Sequence, residues 1–291
     1  MATLQTVDTR TGGTDFPAGK AYFETSTNKF IIWNGSQWIE LHSDGTGAGP
    51  AFDAWSTGYV SASAQYLDFS AARGALDSTS TFSISTWFKY TSFATSGVLW
   101  SSGTKGSRLS GAWYNGGNIS FTVRGGQGSH GVYASTSAPS LDTWAHLVCV
   151  FDNGQGTIYV TPTDTGITTS ATATFVYQGT TVSTTDTNGG DGLRCGIFSH
   201  ALVQGLDGNI NDFAVWGSAL SSSDVATIYG AGLPTNISSL NPYGFWKMGD
   251  DANDSPVDGG AVSGIQDSSG NGYHAVTNVN YQPTFSTSVP S

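Results

Sequence analysis

Residues 80–92 read "STFSISTWFKYTS", and this stretch decides the fold class. Phe82, Ile84, Thr86 and Phe88 fall on one side of an extended chain, with Ser83, Ser85, Trp87 and Lys89 on the other. A period of two marks a β-strand, because successive side chains leave a pleated backbone in opposite directions. Downstream, "DTWAHLVCVFDNGQGTIYV" (142–160) reads as two strands joined by the turn "DNGQG". The segments "QYLDFS" (65–70), "GVLWSSG" (97–103), "GAWYNGGNISFTVRGG" (111–126), "GVYAS" (131–135), "DGLRCGIFS" (191–199) and "LDGNINDFAVWGSAL" (206–220) continue the series. Many short strands with turn signals between them imply an all-β sandwich or barrel.

Composition agrees. Charged residues make up 11 % of the 291, against roughly 25 % in an average domain. Long helices with solvated charged faces are therefore excluded, and 39 glycines suit short strands and tight turns. Nine Trp, 12 Tyr and 15 Phe supply a sizeable core. One helix is expected: Ser221 caps it, Asp224 completes the capping box, Val225, Ile228 and Tyr229 share a face, and Gly230 stops it.

A net charge of −11 and a pI near 4.5 argue against nucleic-acid binding, which needs a positive footprint. No apolar run is long enough to span a membrane, and the N-terminus lacks a signal-peptide pattern. Cys149 and Cys195 lie inside apolar strands and read as buried free thiols, with a single bridge between them as the alternative. Residues 1–21 read as an arm, 22–42 as a three-stranded β-meander, 43–58 as a linker, 59–234 as the sandwich, and 235–291 as a segment packed on it.

Three blocks, "STFSISTWFKYTS", "DTWAHLVCVFDNGQGTIYV" and "LDGNINDFAVWGSALSSSDVATIYGAG", resemble the laminin-G-like, concanavalin A-like lectin family. Trp87, Trp144, His146, Gly208, Ile210, Asp212, Trp216, Leu220 and Tyr229 fall on its pattern, over about residues 59–232. Asn211 stands where the family often has aspartate, which weakens an ion site there. A motif that commonly begins such sandwiches, "GFWKMGDD…IQDSSGNGYHA", lies here at 244–275, near the C-terminus. The segment "AYFETSTNKFIIWNGSQWIEL" (21–41) resembles a short meander of tail-associated and capsid-associated bacteriophage proteins. Together these resemblances imply a virion structural protein assembled in a host cytoplasm: a capsid decoration, tail or fibre component. A cellular carbohydrate-binding module is the alternative, and a glycoside hydrolase comes third.

The chemistry of the residues bears on these choices. Retaining glycosidases need two carboxyl groups roughly 5–5.5 Å apart, and the related β-glucanases use glutamates. The only glutamates here, Glu24 and Glu40, lie outside the sandwich, so no enzyme is expected and no catalytic residue is assigned. His146 reads as a structural strand histidine. Sugars pack their CH faces on aromatic rings and pair their hydroxyls with amides, so Trp113, Tyr114, Asn115 and Asn118 are the candidate carbohydrate contacts. No cofactor is required. Calcium has one candidate set, Asp267, Ser269 and Asn271, which equally reads as an Asx-type turn, because position twelve of the loop is Asn278 and not glutamate. Asn34-Gly35-Ser36 matches a glycosylation sequon but is better read as a hairpin turn. The flanking strand is apolar on both sides, so Phe30, Ile32, Trp33 and Trp38 are candidate docking residues. The partners expected are other virion proteins, further copies of the chain (a trimer among the geometries), and host-surface polysaccharide.

Overall fold

Thr81–Tyr90 is a ten-residue strand at the centre of a sheet in the computed structural model. The model describes residues 5–7, 21–24, 29–33, 38–41, 53–76, 79–93, 96–104, 108–124, 131–174, 192–199, 202–230 and 232–290. On one side, Thr81–Tyr90 pairs antiparallel with Ala145–Asp152, setting Phe82 opposite Phe151 and Ile84 opposite Cys149. On the other side it pairs with Gly208–Trp216. Gln155–Pro162 and Thr169–Thr174 extend this sheet in one direction, and Ser56–Tyr59 and Thr284–Ser286 in the other. Gly244–Trp246 also pairs with Gly208–Trp216.

The facing sheet runs in the order Gly131–Ser137, Asn118–Arg124, Arg108–Asn115, Val98–Thr104, Arg194–Cys195, Leu67–Asp68, Ala275–Val276, Gly264–Ile265. Phe82, Ile84, Phe88, Trp100, Phe121, Phe151 and Trp246 fill the space between the two sheets. The fold is the all-β antiparallel sandwich that the alternation predicts.

The two sides of Thr81–Tyr90 are both buried, for different reasons. Phe82, Ile84 and Phe88 enter the core. Ser85 and Trp87 lie on the outer side, which the helix Ser222–Tyr229 covers: Val225 and Ile228 pack with Val148, Val150, Ala214 and Trp216. The predicted capping box is formed, with Ser221 and Asp224 each accepting from the other's backbone N–H.

The boundaries differ from the sequence reading at both ends. The chain divides into two compact units, Met1–Phe52 and Asp53–Ser291. In the first, the expected arm contributes a strand of its own. Gln5–Val7 pairs parallel to Ala21–Glu24, making a four-stranded sheet completed by Lys29–Trp33 and Trp38–Leu41. A three-residue strand gives too short a pattern to detect by periodicity. The expected Asn34-Gly35-Ser36 turn and residues 43–52 of the expected linker lie outside the described residues. The rest of that linker runs into Ser56–Tyr59, a strand of the sandwich. At the other end, residues 244–286 are woven into both sheets, so this segment completes the sandwich.

Candidate functional site

Register separates the four candidate carbohydrate contacts. Tyr114 pairs with Ile119 and turns towards the interior, where its ring stacks on Phe93 at 4.2 Å. Trp113, Asn115 and Asn118 occupy the outer side, with Ser120 opposite Trp113. Trp113 is half-buried, meeting Phe198 edge-on at 5.2 Å. The Asn115 amide donates to the Tyr133 hydroxyl at 2.9 Å, and Tyr133 is 50 % exposed. Three of the four residues thus share a surface, joined by a tyrosine that the sequence reading did not select.

The candidate calcium set comes together as a turn. The Asp267 carboxylate accepts from Phe245 N at 3.1 Å, Ser269 N at 2.9 Å, Ser269 Oγ at 2.8 Å and Tyr273 N at 2.9 Å. Burial raises its pKa, but the hydrogen bonds from Ser269, Phe245 and Tyr273 outweigh burial and hold it below the usual carboxylate value. The Asn271 amide donates to the Tyr243 carbonyl at 3.0 Å. These are the bonds of an Asx-type turn.

A second acidic cluster forms at Asn211 and Asp212, positions that the family resemblance marked. Gly208–Trp216 carries a bulge between Asn211 and Ala214, with Asp212 at φ 43°. Asp53 and Asp250 meet it from positions far apart in the chain. The two Asp250 oxygens accept Ala54 N at 2.9 Å and Trp55 N at 3.0 Å, anchoring the entry to the sandwich. The Asn211 amide donates to one Asp53 oxygen, and the other is buried without a hydrogen bond. Burial, then the charge of Asp212, drives the Asp53 carboxyl far above its usual pKa. Burial and the charge of Asp250 raise Asp212 as well.

The donors are all oxygen, as a hard cation requires. Asp250 and the Asn211 side-chain oxygen also accept backbone N–H groups. Among the described residues no three acidic, histidine or cysteine side chains form a metal-holding group. With no cation bound, burial and the neighbouring charges favour a retained proton on the cluster.

This has a measurable consequence. A carboxyl with a raised folded-state pKa favours folding below its unfolded value near 3.8, and that contribution is lost as pH rises towards the folded pKa. Asp53→Asn mimics the protonated acid, so it is expected to stabilise the chain by roughly 1–3 kcal/mol at neutral pH and hardly at all near pH 3. Urea melts of both forms with chelator at the two pH values check this. A loss of stability in the variant, restored contrast with added calcium, would mean that a cation holds the cluster instead.

The outer-side pair beneath the helix carries no free chemistry. His146 Nε2 lies 2.7 Å from Ser85 Oγ, and the ring sits 4.9 Å from that of Trp87, which stacks on Tyr229 at 5.5 Å. Both cysteines are buried and free, and burial pushes each thiol pKa up. A buried neutral thiol is a poor nucleophile.

The Laminin_G_3 family model, of the concanavalin A-like lectin/glucanases superfamily, matches residues 56–226, more than half of the chain. The chain belongs to this superfamily. No curated protein sequence matches it. Similar solved structures include the tailspike protein 2 enzymatically active domain of bacteriophage CBA120, at 13 % identity and TM-score 0.44, covering 59 % of this chain and 27 % of that one. Domains LG4-5 of the mouse laminin alpha1 chain align at 14 % identity and TM-score 0.40, covering 70 % and 57 %. The NanB sialidase of Streptococcus pneumoniae aligns at 16 % and 0.44, covering 69 % and 30 %. The chain thus spans less than a third of the tailspike and sialidase chains.

In this concanavalin A-like sandwich five of the family positions, Trp87, His146, Trp216, Leu220 and Tyr229, lie on the outer side, while Ile210 enters the core. Trp87, His146 and Tyr229 touch one another, and Trp216 Nε1 donates to Leu240 O at 3.0 Å. Their work is packing the helix on the sheet.

Proposed function

We propose that this chain is a non-enzymatic structural component of a bacteriophage virion, a capsid decoration, tail or fibre protein whose lectin-like sandwich contacts host-surface glycans. The observation that carries the reading is the two-part construction: a small four-stranded sheet in Met1–Phe52, then a complete sandwich in Asp53–Ser291. In the small sheet Phe30 pairs with Phe23 and Leu41, and Ile32 with Ala21 and Ile39, so one set of register positions is apolar across three of the strands. Trp33 and Trp38 are partners in the alternate set. An apolar set in so small a sheet, with a tryptophan pair in the alternate set, calls for a covering surface, and other virion proteins or further copies of the chain would supply it.

The carboxylates support a role without catalysis. Asp68 pairs with Arg194 at 3.0 Å, Asp207 holds Ser61, Asp224 caps the helix, and Asp250 and Asp267 brace the backbone. Both glutamates stay outside the sandwich. Among the described residues no helix is long and apolar enough to cross a membrane.

Full-length chain is expected to sediment with particles at fixed stoichiometry. Phe30→Asp with Ile32→Asp is expected to abolish that association, about tenfold or more in retained protein, while leaving the sandwich melt unchanged; Trp38→Asp tests the alternate set. A monomer that ignores particles yet binds a glycan array would favour a free lectin instead.

A further inference from the structure

A cleft of about 360 Å³ opens between the bend at Gly217–Ser218, the 3-10 turn Ser238–Leu240 and the turn that Asp267 organises. Ser218, Ser238, Asn241, Tyr243, Ser269 and Asn271 line it. We propose that this cleft is a binding site for a neutral pyranose sugar. The inference rests on the glycan-contact part of the reading above and gives it a location and a ligand class.

Tyr243, the aromatic residue of the lining, is held in place. Tyr243 stacks on Tyr273 at 4.9 Å with ring planes 16° apart, and the two hydroxyls share a 3.0 Å hydrogen bond. The Tyr243 backbone is tied by its N–H to Val215 O at 2.7 Å, and by its carbonyl to the Asn271 amide at 3.0 Å. A ring held on both counts loses little freedom when a ligand stacks on it, which is why tyrosine serves well in polar recognition.

Around Tyr243, polar groups stand uncommitted. The side chains of Ser218, Ser238 and Asn241 are at the surface, and their hydrogen bonds among the described residues run through backbone atoms. Asn241 sits at φ 48°, closing the 3-10 turn, so its position at the rim is fixed by the backbone. Two hydroxyls and an amide beside an aromatic face match the alternating CH and OH surfaces of a pyranose.

The charge of the lining sets the class. No lysine, arginine, aspartate or glutamate lines the cleft. Sialic or uronic acids would bring a carboxylate with no cationic partner, into a chain of net charge −11. A hexoside or N-acetylhexosamine brings only hydroxyl and amide groups. The cleft volume lies at the small end of ligand pockets, about 300–1,000 Å³, which fits one or two sugar rings and not an extended chain.

Saturation-transfer NMR on the full chain tests this, with methyl glucoside, methyl galactoside, N-acetylglucosamine and N-acetylneuraminic acid as probes. At least one neutral probe is expected to receive magnetisation, and the acidic one none. Asn241→Gly, which keeps the left-handed turn, and Tyr243→Ala are each expected to weaken binding about tenfold or more. Ile167→Ala, at an exposed position outside the cleft, is expected to leave it unchanged, and Trp113→Ala probes the other candidate surface. Neutral sugars that bind both cleft variants as well as the native chain would overturn the site, as would tighter binding of the acidic probe. Loss of binding in Trp113→Ala alone would keep glycan contact and move it to the Trp113–Tyr133 surface. A chain that retains no sugar and no host polysaccharide would overturn both the cleft and the glycan reading.

Discussion

Trp246→Ala is expected to lower the melting temperature of the chain by roughly 10 °C or more, from a loss of about 3–5 kcal/mol. The side chain is fully buried, with its ring centroid 4.6 Å from that of Phe69 and 5.9 Å from that of Phe213. Its indole N–H donates to Tyr273 O at 2.8 Å. Truncation leaves a cavity among large rings that cannot collapse to fill it, and it orphans the Tyr273 carbonyl. The same logic extends to the whole segment. Phe245, Met248, Val262, Ile265, Ala275 and Phe285 are buried as well, so a chain ending at residue 233 should not fold cooperatively. Calorimetry on both forms decides the matter. A shift of about 2 °C or less for Trp246→Ala, within the range of an ordinary surface change, would reduce the segment to a docked tail.

His146 should make stability depend on pH in a way that a variant isolates. Burial holds its imidazole pKa down to about 3, against 6.5 in an unfolded chain. The sign follows from linkage. Above pH 6.5 both states carry neutral imidazole, and the full contribution to stability is present. Between 6.5 and 3 the unfolded chain takes a proton that the folded chain refuses, so stability falls as pH falls. The slope is about 1.4 kcal/mol per pH unit, with a total on the order of 5 kcal/mol. The buried carboxyls of Asp53 and Asp212 act in the opposite direction over part of this range, so the native chain alone does not reveal the effect. His146→Gln removes only the imidazole. Its stability relative to the native chain should therefore improve steadily from pH 6.5 downward, in urea melts at matched ionic strength. A difference that stays constant over that window would show the imidazole to be solvated and titrating normally.

The parts of this protein that are legible in its sequence are those governed by neighbours in the chain. The alternation of Phe82, Ile84, Thr86 and Phe88 fixed their side of the strand before any partner was known, because the pleat repeats every two residues. Ser221 and Asp224 announced the helix, since a capping box spans only three residues. His146 read as structural, and its packing between Ser85, Trp87 and Tyr229 agrees.

The candidate site was legible only in part. Trp113, Asn115 and Asn118 share a surface, but Tyr114 points inward, as one step along a strand requires. Tyr133 joined that surface only through strand pairing, 18 residues from Asn115. The Asp267 turn was visible in "DSSGNG", yet its role as the support of a cleft depends on Tyr243, which lies on a different strand end.

The sequence by itself determined an all-β sandwich with one capped helix and an N-terminal β-module, because periodicity, turn chemistry and capping are short-range. Tertiary structure alone decided that residues 244–286 close both sheets, that Asp53, Asp212 and Asp250 meet, and that Tyr243 and Tyr273 stack beside free hydroxyls. Ala54 and Asp250 are 196 residues apart when they bond. Contacts at such separations arise from the closure of the whole sandwich, and no local pattern of residues encodes them.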